Sequence, residues 1–255
     1  MKFSYLCFNL GLLILGTMFS AMIINIYWVT KQWNDIISNL GDTSLSRTLM
    51  SLHFAAGICA MILYPLQKIL VNFKFHKHTI IQYVIHGPCG LILFICGLLV
   101  SLGGIIYILT HRTVGGIFMD ITFAIYGTLI FCISVSGLII AIWLCRIAPD
   151  NKNTKFLHYI IGNMYGTLIF SSLFYRILYT YARLFGYPVP SNSTPITFYQ
   201  RPLDRLFQIA FFTLPLIVVS IYNIMIYKKY KRLAITFTWM LILFMIVTII
   251  IAFIV

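Results

Sequence analysis

Residues 85–109 read IHGPCGLILFICGLLVSLGGIIYIL, a stretch that contains no Asp, Glu, Lys or Arg. A helix of about 20 predominantly apolar residues is long enough to cross the hydrocarbon core of a bilayer. The rest of the chain has the same character, because 61% of its residues are hydrophobic and only 9% are charged. The sequence therefore predicts an all-α, polytopic integral membrane protein.

Seven such segments can be drawn along the 255 residues, which we interpret as one multi-pass membrane domain covering residues 1–255. The predicted spans are Leu6–Val29, Leu49–Leu70, Ile85–Leu109, Gly116–Leu144, Phe156–Tyr181, Leu206–Tyr227 and Leu233–Val255. The central four, about residues 49–181, are expected to form a four-helix bundle flanked by helices 6–29, 206–227 and 233–255. The fourth span is long enough to require a tilt, or a break near Gly127.

The distribution of basic residues predicts the orientation of the chain. Most of them lie at the amino terminus and in the second, fourth and sixth loops, namely Lys2, Lys68, Lys74, Lys77, Arg146, Lys152, Lys155, Lys228, Lys229, Lys231 and Arg232. The positive-inside rule then places the amino terminus in the cytoplasm and the carboxyl terminus outside or in a lumen. The net charge of +13 indicates topology and affinity for anionic lipid headgroups, with the lipid bilayer as partner and no nucleic-acid binding.

Four of the six histidines are followed by glycine four residues later: His53 and Gly57, His86 and Gly90, His111 and Gly115, His158 and Gly162. Because positions i and i+4 share a helix face, the missing side chain leaves a flat gap beside the imidazole, as a porphyrin requires. The predicted spans place His53 and His111 near the outer face, on spans two and four. His86 and His158 lie near the inner face, on spans three and five. This layout predicts two haem sites, each with two histidine ligands.

The four-histidine layout of spans two to five resembles the cytochrome b-561 family of two-haem transmembrane cytochromes and its ferric-reductase relatives. The resemblance rests on His53 with Pro65 in the same span, His86 heading span three, the His111-Arg112 pair, and His158. It implies haem b as cofactor, the four histidines as iron ligands, and electron transfer across the membrane by a haem-dependent oxidoreductase. Donors in that family are typically ascorbate, and acceptors are oxidised ascorbate or ferric chelates. A small anionic donor would then bind near Lys74, Lys77, Lys152 and Lys155, and an anionic acceptor near Arg112.

A second resemblance covers the whole chain. Leu52-His53, Pro65-Leu66-Gln67, His86-x-x-x-Gly90, Gly103-Gly104, and His158 with Arg176 in one span are similar to a domain-of-unknown-function family of bacterial and fungal multi-pass membrane proteins. That family has no settled activity. It is compatible with the haem hypothesis, since its members could themselves bind haem.

Simpler interpretations of these residues stay open. His86 precedes Gly87-Pro88, and His111 lies in a polar segment, so either could sit at the membrane interface without a ligand. His53 and His158 lie inside apolar helices, where an ionisable group calls for a partner that could be a hydroxyl or a carbonyl. Arg176 could pair with Asp120 or hold a haem propionate. The alternative function is a non-haem membrane protein with a structural, scaffolding or small-ligand-binding role.

The sequence lacks the motifs of several classes of membrane protein and enzyme. The chain has five acidic residues, none of them glutamate and none placed near a midplane, which argues against a proton pump. His-Glu-x-x-His clusters and glycine-rich nucleotide loops do not occur, which argues against a zinc protease and a nucleotide-binding reductase module. The six cysteines lie within or at the ends of hydrophobic spans and do not indicate a disulfide framework.

Overall fold

A computed structural model describes residues 2–25, 29, 44–72, 85–111, 113–114, 117–118, 121–171, 181, 184–186, 202–227 and 230–254. Within these ranges the chain forms seven α-helices and one short antiparallel hairpin. The helices are α1 (Lys2–Ile24), α2 (Ser44–Asn72), α3 (Gly87–His111), α4 (Ile121–Ile147), α5 (Lys152–Ile169), α6 (Pro202–Tyr227) and α7 (Lys231–Ile254), and the strands are β1 (Thr113–Val114) and β2 (Ile117–Phe118). The predicted helical class is confirmed.

Among the described residues, three segments are long and apolar enough to cross a membrane: Leu6–Ile24, Thr48–Leu70 and Gly127–Ile147. Shorter apolar helical stretches occur at Gly87–Gly103, Thr213–Met225 and Arg232–Phe244. Large apolar side chains cover the outer surfaces of these helices, and the side chain of Ile133 on α4 is 70% exposed. Exposed apolar surface on this scale indicates contact with lipid or protein, and together with the long apolar helices it indicates a membrane protein.

The helices form a closed circuit, in which each helix packs against the next and α7 returns to α1, while α5 also reaches α2 and α3. The larger buried cluster joins α1, α2, α3 and α5, with Phe19, Ala60, Leu93 and Ile169 as one member from each. Gly16 lets α1 approach α2 closely, since a Cβ there would lie 2.8 Å from the carbonyl oxygen of Met61. The first helix is therefore part of the core as well as a neighbour of the central helices.

The region between the third and fourth helices differs from the prediction. The predicted fourth span starts at Gly116, but α4 starts at Ile121, and the residues before it form the hairpin, in which Thr113 pairs with Phe118. His111 consequently belongs to the end of α3 and not to the fourth helix. A polar Thr-His-Arg-Thr sequence followed by two glycines favours a turn over a helix start.

The suggested break at Gly127 is wrong. Helix α4 runs without interruption from Ile121 to Ile147. Glycine weakens a helix only modestly, and the apolar residues around it favour continuation. At 27 residues the helix is still longer than the about 20 residues that cross a bilayer, so a tilt and not a break would match it to a membrane.

Candidate functional site

The structure brings together His86 and His158, the two histidines predicted near the inner face. His86 directly precedes the first residue of α3, and His158 lies in the second turn of α5. Their ring centres are 6.4 Å apart and the ring planes meet at 85°. Both side chains are partly buried. Two imidazoles from separate helices therefore lie at the same end of the bundle.

The spacing of these rings can be compared with the spacing of two imidazoles bound to one metal ion. A metal–imidazole bond is about 2 Å long, so two rings on opposite sides of one iron have centres roughly 6 Å apart. A tetrahedral metal ion would hold the same rings closer together, at about 5 Å. The observed 6.4 Å would allow both imidazoles to bind one iron, and it is also an ordinary distance for two rings packed edge to face.

Two further observations at His158 fit a bound group. Its Nδ1 atom is buried and has no hydrogen-bond partner among the residues that the structure describes. One turn further along α5, a Cβ added at Gly162 would meet no described atom within 4 Å. A buried ring nitrogen without a partner is costly. His86 and His158 are therefore the described side chains that could hold a haem iron at this position.

Gln67 on α2 also contacts His86. Its Nε2 atom lies 3.1 Å from Nδ1 of His86 and donates to the backbone carbonyl of the same residue over 3.3 Å. The amide also occupies the space left by Gly90, since a Cβ at that glycine would lie 3.1 Å from Nε2. The gap predicted at Gly90 is therefore filled by Gln67.

A buried polar network that the sequence analysis did not identify adjoins the pair. The Lys68 ammonium lies 5.6 Å from the ring centre of Tyr64 and 4.9 Å from that of Tyr159, within cation–π range. The Tyr64 hydroxyl donates to Asn163 over 3.4 Å, and the Asn163 amide donates to Asn223 over 3.1 Å. The sequence feature that could have predicted this network is an amide or ammonium group within an apolar helix, because such a group needs a polar partner in the bundle.

His53 makes a different contact. Its Nδ1–H donates to the carbonyl oxygen of Val100 on α3 over 2.6 Å. A Cβ at Gly57 would lie 3.7 Å from Val100, and a Cβ at Gly103 would lie 3.4 Å from Cβ of His53. Helix α3 therefore packs directly against this face of α2, and no open gap remains beside Gly57.

The structure does not bring His53 to His111. At about 1.5 Å of rise per residue, His111 lies roughly 16 Å along α3 from Val100, to which His53 is bonded. The side chain of His111 is outside the described part of the structure, as are Gly115, Asp120 and Arg176. The described geometry thus supports the inner histidine pair and gives no support to an outer one.

The lysines predicted near an inner site divide into two groups. Lys152 and Lys155 are exposed in the first turn of α5, before His158. Asn151 caps this helix by accepting a hydrogen bond from the backbone N–H of Asn153 over 2.9 Å. Lys74 and Lys77 lie outside the described residues. Two exposed ammonium groups therefore lie at the end of the bundle that holds the histidine pair.

Within the described ranges, no group of three or more His, Cys, Asp or Glu side chains could hold a metal ion. A histidine pair leaves the other coordination positions to a ligand that is not protein, and a porphyrin supplies four of them. Comparison of the chain with protein-family models, with curated proteins and with solved structures gives no match.

Proposed function

We propose that this protein is a seven-span membrane protein that binds b-type haem between His86 and His158 and transfers electrons. The observation that carries the proposal is the 6.4 Å separation of the two ring centres. The unpartnered Nδ1 of His158 and the open space beside Gly162 support it. The proposal assigns one haem, because the described residues form one histidine pair.

The seven helices α1 to α7 are the proposed membrane spans. The amino terminus is placed in the cytoplasm and the carboxyl terminus on the other side, on the strength of the basic residues in the even-numbered loops. The apolar side chains that cover α4 and α7 support contact with lipid, as at Ile133 and Met240. In this orientation the histidine pair lies near the cytoplasmic face.

The residues of the site have separable roles. His86 and His158 would hold the iron as neutral imidazoles, and the helices around them bury both rings in part. When bound, haem supplies an iron centre that takes up and releases one electron. The ammonium groups of Lys152 and Lys155 attract a small anionic electron donor to this end of the bundle. Lys68, held between two tyrosine rings, adds positive charge nearby.

A difference spectrum tests the proposal. The full chain is expressed with a haem precursor, purified in detergent, and recorded reduced minus oxidised, beside His86→Ala, His158→Ala and His53→Ala. We expect a b-type α-band in the wild type and in His53→Ala, and its loss in the other two variants. A pyridine haemochrome assay should give one haem per chain. Folded wild-type protein without haem would overturn the proposal.

The second candidate is a non-haem membrane protein that binds a small polar ligand or acts as a scaffold. It is favoured by the Gln67 contact, because an amide N–H that donates to Nδ1 of His86 leaves the imidazole proton on Nε2. A ring in that tautomer cannot ligate a metal through Nε2. The spectrum described above separates the two candidates directly.

A further inference from the structure

We propose that Gln67 is a positioning residue that decides which nitrogen of His86 is free to bind iron, an inference that rests on the proposed haem function. Gln67 is only 9% exposed, and its amide meets both Nδ1 and the carbonyl oxygen of His86. The amide fills the space at Gly90 and so has little freedom to move away. The orientation of one amide thereby controls the proton of one imidazole.

The amide has two orientations of the same shape. With Nε2 toward His86, it donates to Nδ1 and to the carbonyl, and the imidazole proton lies on Nε2. Turned over, its oxygen accepts a hydrogen bond from Nδ1–H, which leaves the lone pair of Nε2 available. Only the second orientation permits ligation through Nε2. This second orientation also loses the hydrogen bond to the carbonyl of His86. Haem binding therefore costs the protein one hydrogen bond.

This arrangement makes the effects of substitutions at residue 67 predictable. A glutamate can only accept at Nδ1–H, so it fixes the ligating tautomer and makes the imidazole more basic. A more basic ligand stabilises ferric over ferrous iron. The positive charge of Lys68 on the same helix favours an ionised carboxylate at this position. A methionine of similar size can neither donate nor accept strongly, so it leaves the tautomer of His86 unselected.

The test uses full-length wild type, Gln67→Glu and Gln67→Met, with Asn163→Leu as the control for loss of a buried amide elsewhere in the bundle. Three quantities are measured: haem affinity by titration, reduction potential by spectroelectrochemistry, and the Tm of haem-free protein. For Gln67→Glu we expect roughly a tenfold shift toward ferric iron at fixed poise, which is 59 mV for one electron. For Gln67→Met we expect haem affinity to rise by up to about tenfold, because this variant gives up no hydrogen bond when haem binds.

The outcomes separate the inference from the proposed function. Wild type without haem overturns both. Wild type with haem, and residue-67 variants whose potential and affinity both stay within twofold of wild type, overturns the role of Gln67 alone. A loss of Tm in Gln67→Met without a change in potential or affinity also overturns it, because that result describes a packing residue. Asn163→Leu should change Tm and leave the potential unchanged.

Discussion

The phenol ring of Tyr64 on α2 lies against the backbone of Gly166 on α5, so closely that a Cβ at residue 166 would overlap the ring. The two helices approach each other through this contact in the interior of the bundle. Gln67 lies one turn beyond Tyr64 on α2, and His158 lies two turns before Gly166 on α5. The Tyr64–Gly166 contact therefore helps to set the distance between the residues that flank the candidate site.

Gly166→Ala should destabilise the protein, because the ring of Tyr64 has to move to admit the methyl group. Overpacking of this kind costs about 1–3 kcal/mol. The measurement is the Tm of the detergent-solubilised chain. Gly162→Ala is the matched control, because residue 162 is on the same helix and a Cβ there meets no described atom within 4 Å. Its Tm should equal or slightly exceed that of wild type, since alanine favours a helix. Equal melting of the two variants would show that Tyr64 adjusts without cost.

His53→Ala should lower the stability of the protein while leaving any haem spectrum intact. The hydrogen bond to the carbonyl of Val100 contributes about 0.5–1.5 kcal/mol, and loss of the imidazole adds a packing deficit against α3. His53→Gln, which keeps a donor of similar reach, should recover part of the loss. Loss of the haem band in His53→Ala, with a Tm unchanged from wild type, would instead identify His53 as a ligand.

The helical class and the closeness of His86 and His158 could be predicted from the sequence, for a simple reason. Long apolar runs predict helices directly. His86 and His158 each lie near the start of a helix, and the two helices start at the same end of the bundle. The i, i+4 glycine pattern reports only that a side chain is missing. It does not predict which residue fills the gap. In the structure Val100 lies at Gly57 and Gln67 lies at Gly90.

Two other features depend on tertiary contacts and were not predicted. The prediction that assigns His111 to the fourth span is wrong, because His111 ends α3 and a short hairpin lies between α3 and α4. The chain from Tyr64 through Asn163 to Asn223 joins residues that are 99 and 60 positions apart in sequence. No local pattern relates such residues, although each polar group in an apolar helix predicts some partner.

The two buried asparagines should be energetically coupled. Asn163→Leu leaves the side-chain oxygen of Asn223 without its donor, and a buried unsatisfied group costs about 1–3 kcal/mol. Asn223→Leu removes the acceptor and, with it, the Nδ2 atom that has no described partner. We expect the double variant to be more stable than the sum of the single effects predicts, by about 0.5–3 kcal/mol. Melting of all four proteins gives the coupling energy, and strict additivity would argue against the contact.

Gly162→Leu should block haem binding without unfolding the helices. The leucine side chain fills the open space one turn from His158, where the structure describes no other atom within 4 Å. Haem titration should show affinity reduced by at least roughly tenfold, in line with other changes close to a metal ligand. Gly162→Ala should lie between wild type and Gly162→Leu. Full affinity in Gly162→Leu would place any haem on another side of His158.

The proposed orientation can be tested at two turns that the proposed membrane spans would place on opposite faces. The exposed turn at Asp150 joins α4 to α5, and Gly186 follows the predicted fifth span. A reporter enzyme that is active only in the cytoplasm, fused after Asp150, should be active, and the same fusion after Gly186 should be inactive. A reporter active only outside the cytoplasm should give the reverse pattern. Activity of the cytoplasmic reporter at Gly186 and not at Asp150 would show that the orientation is the opposite of the proposed one. The histidine pair, with Lys152 and Lys155, would then lie on the non-cytoplasmic side. A cytoplasmic anionic donor could not reach it there.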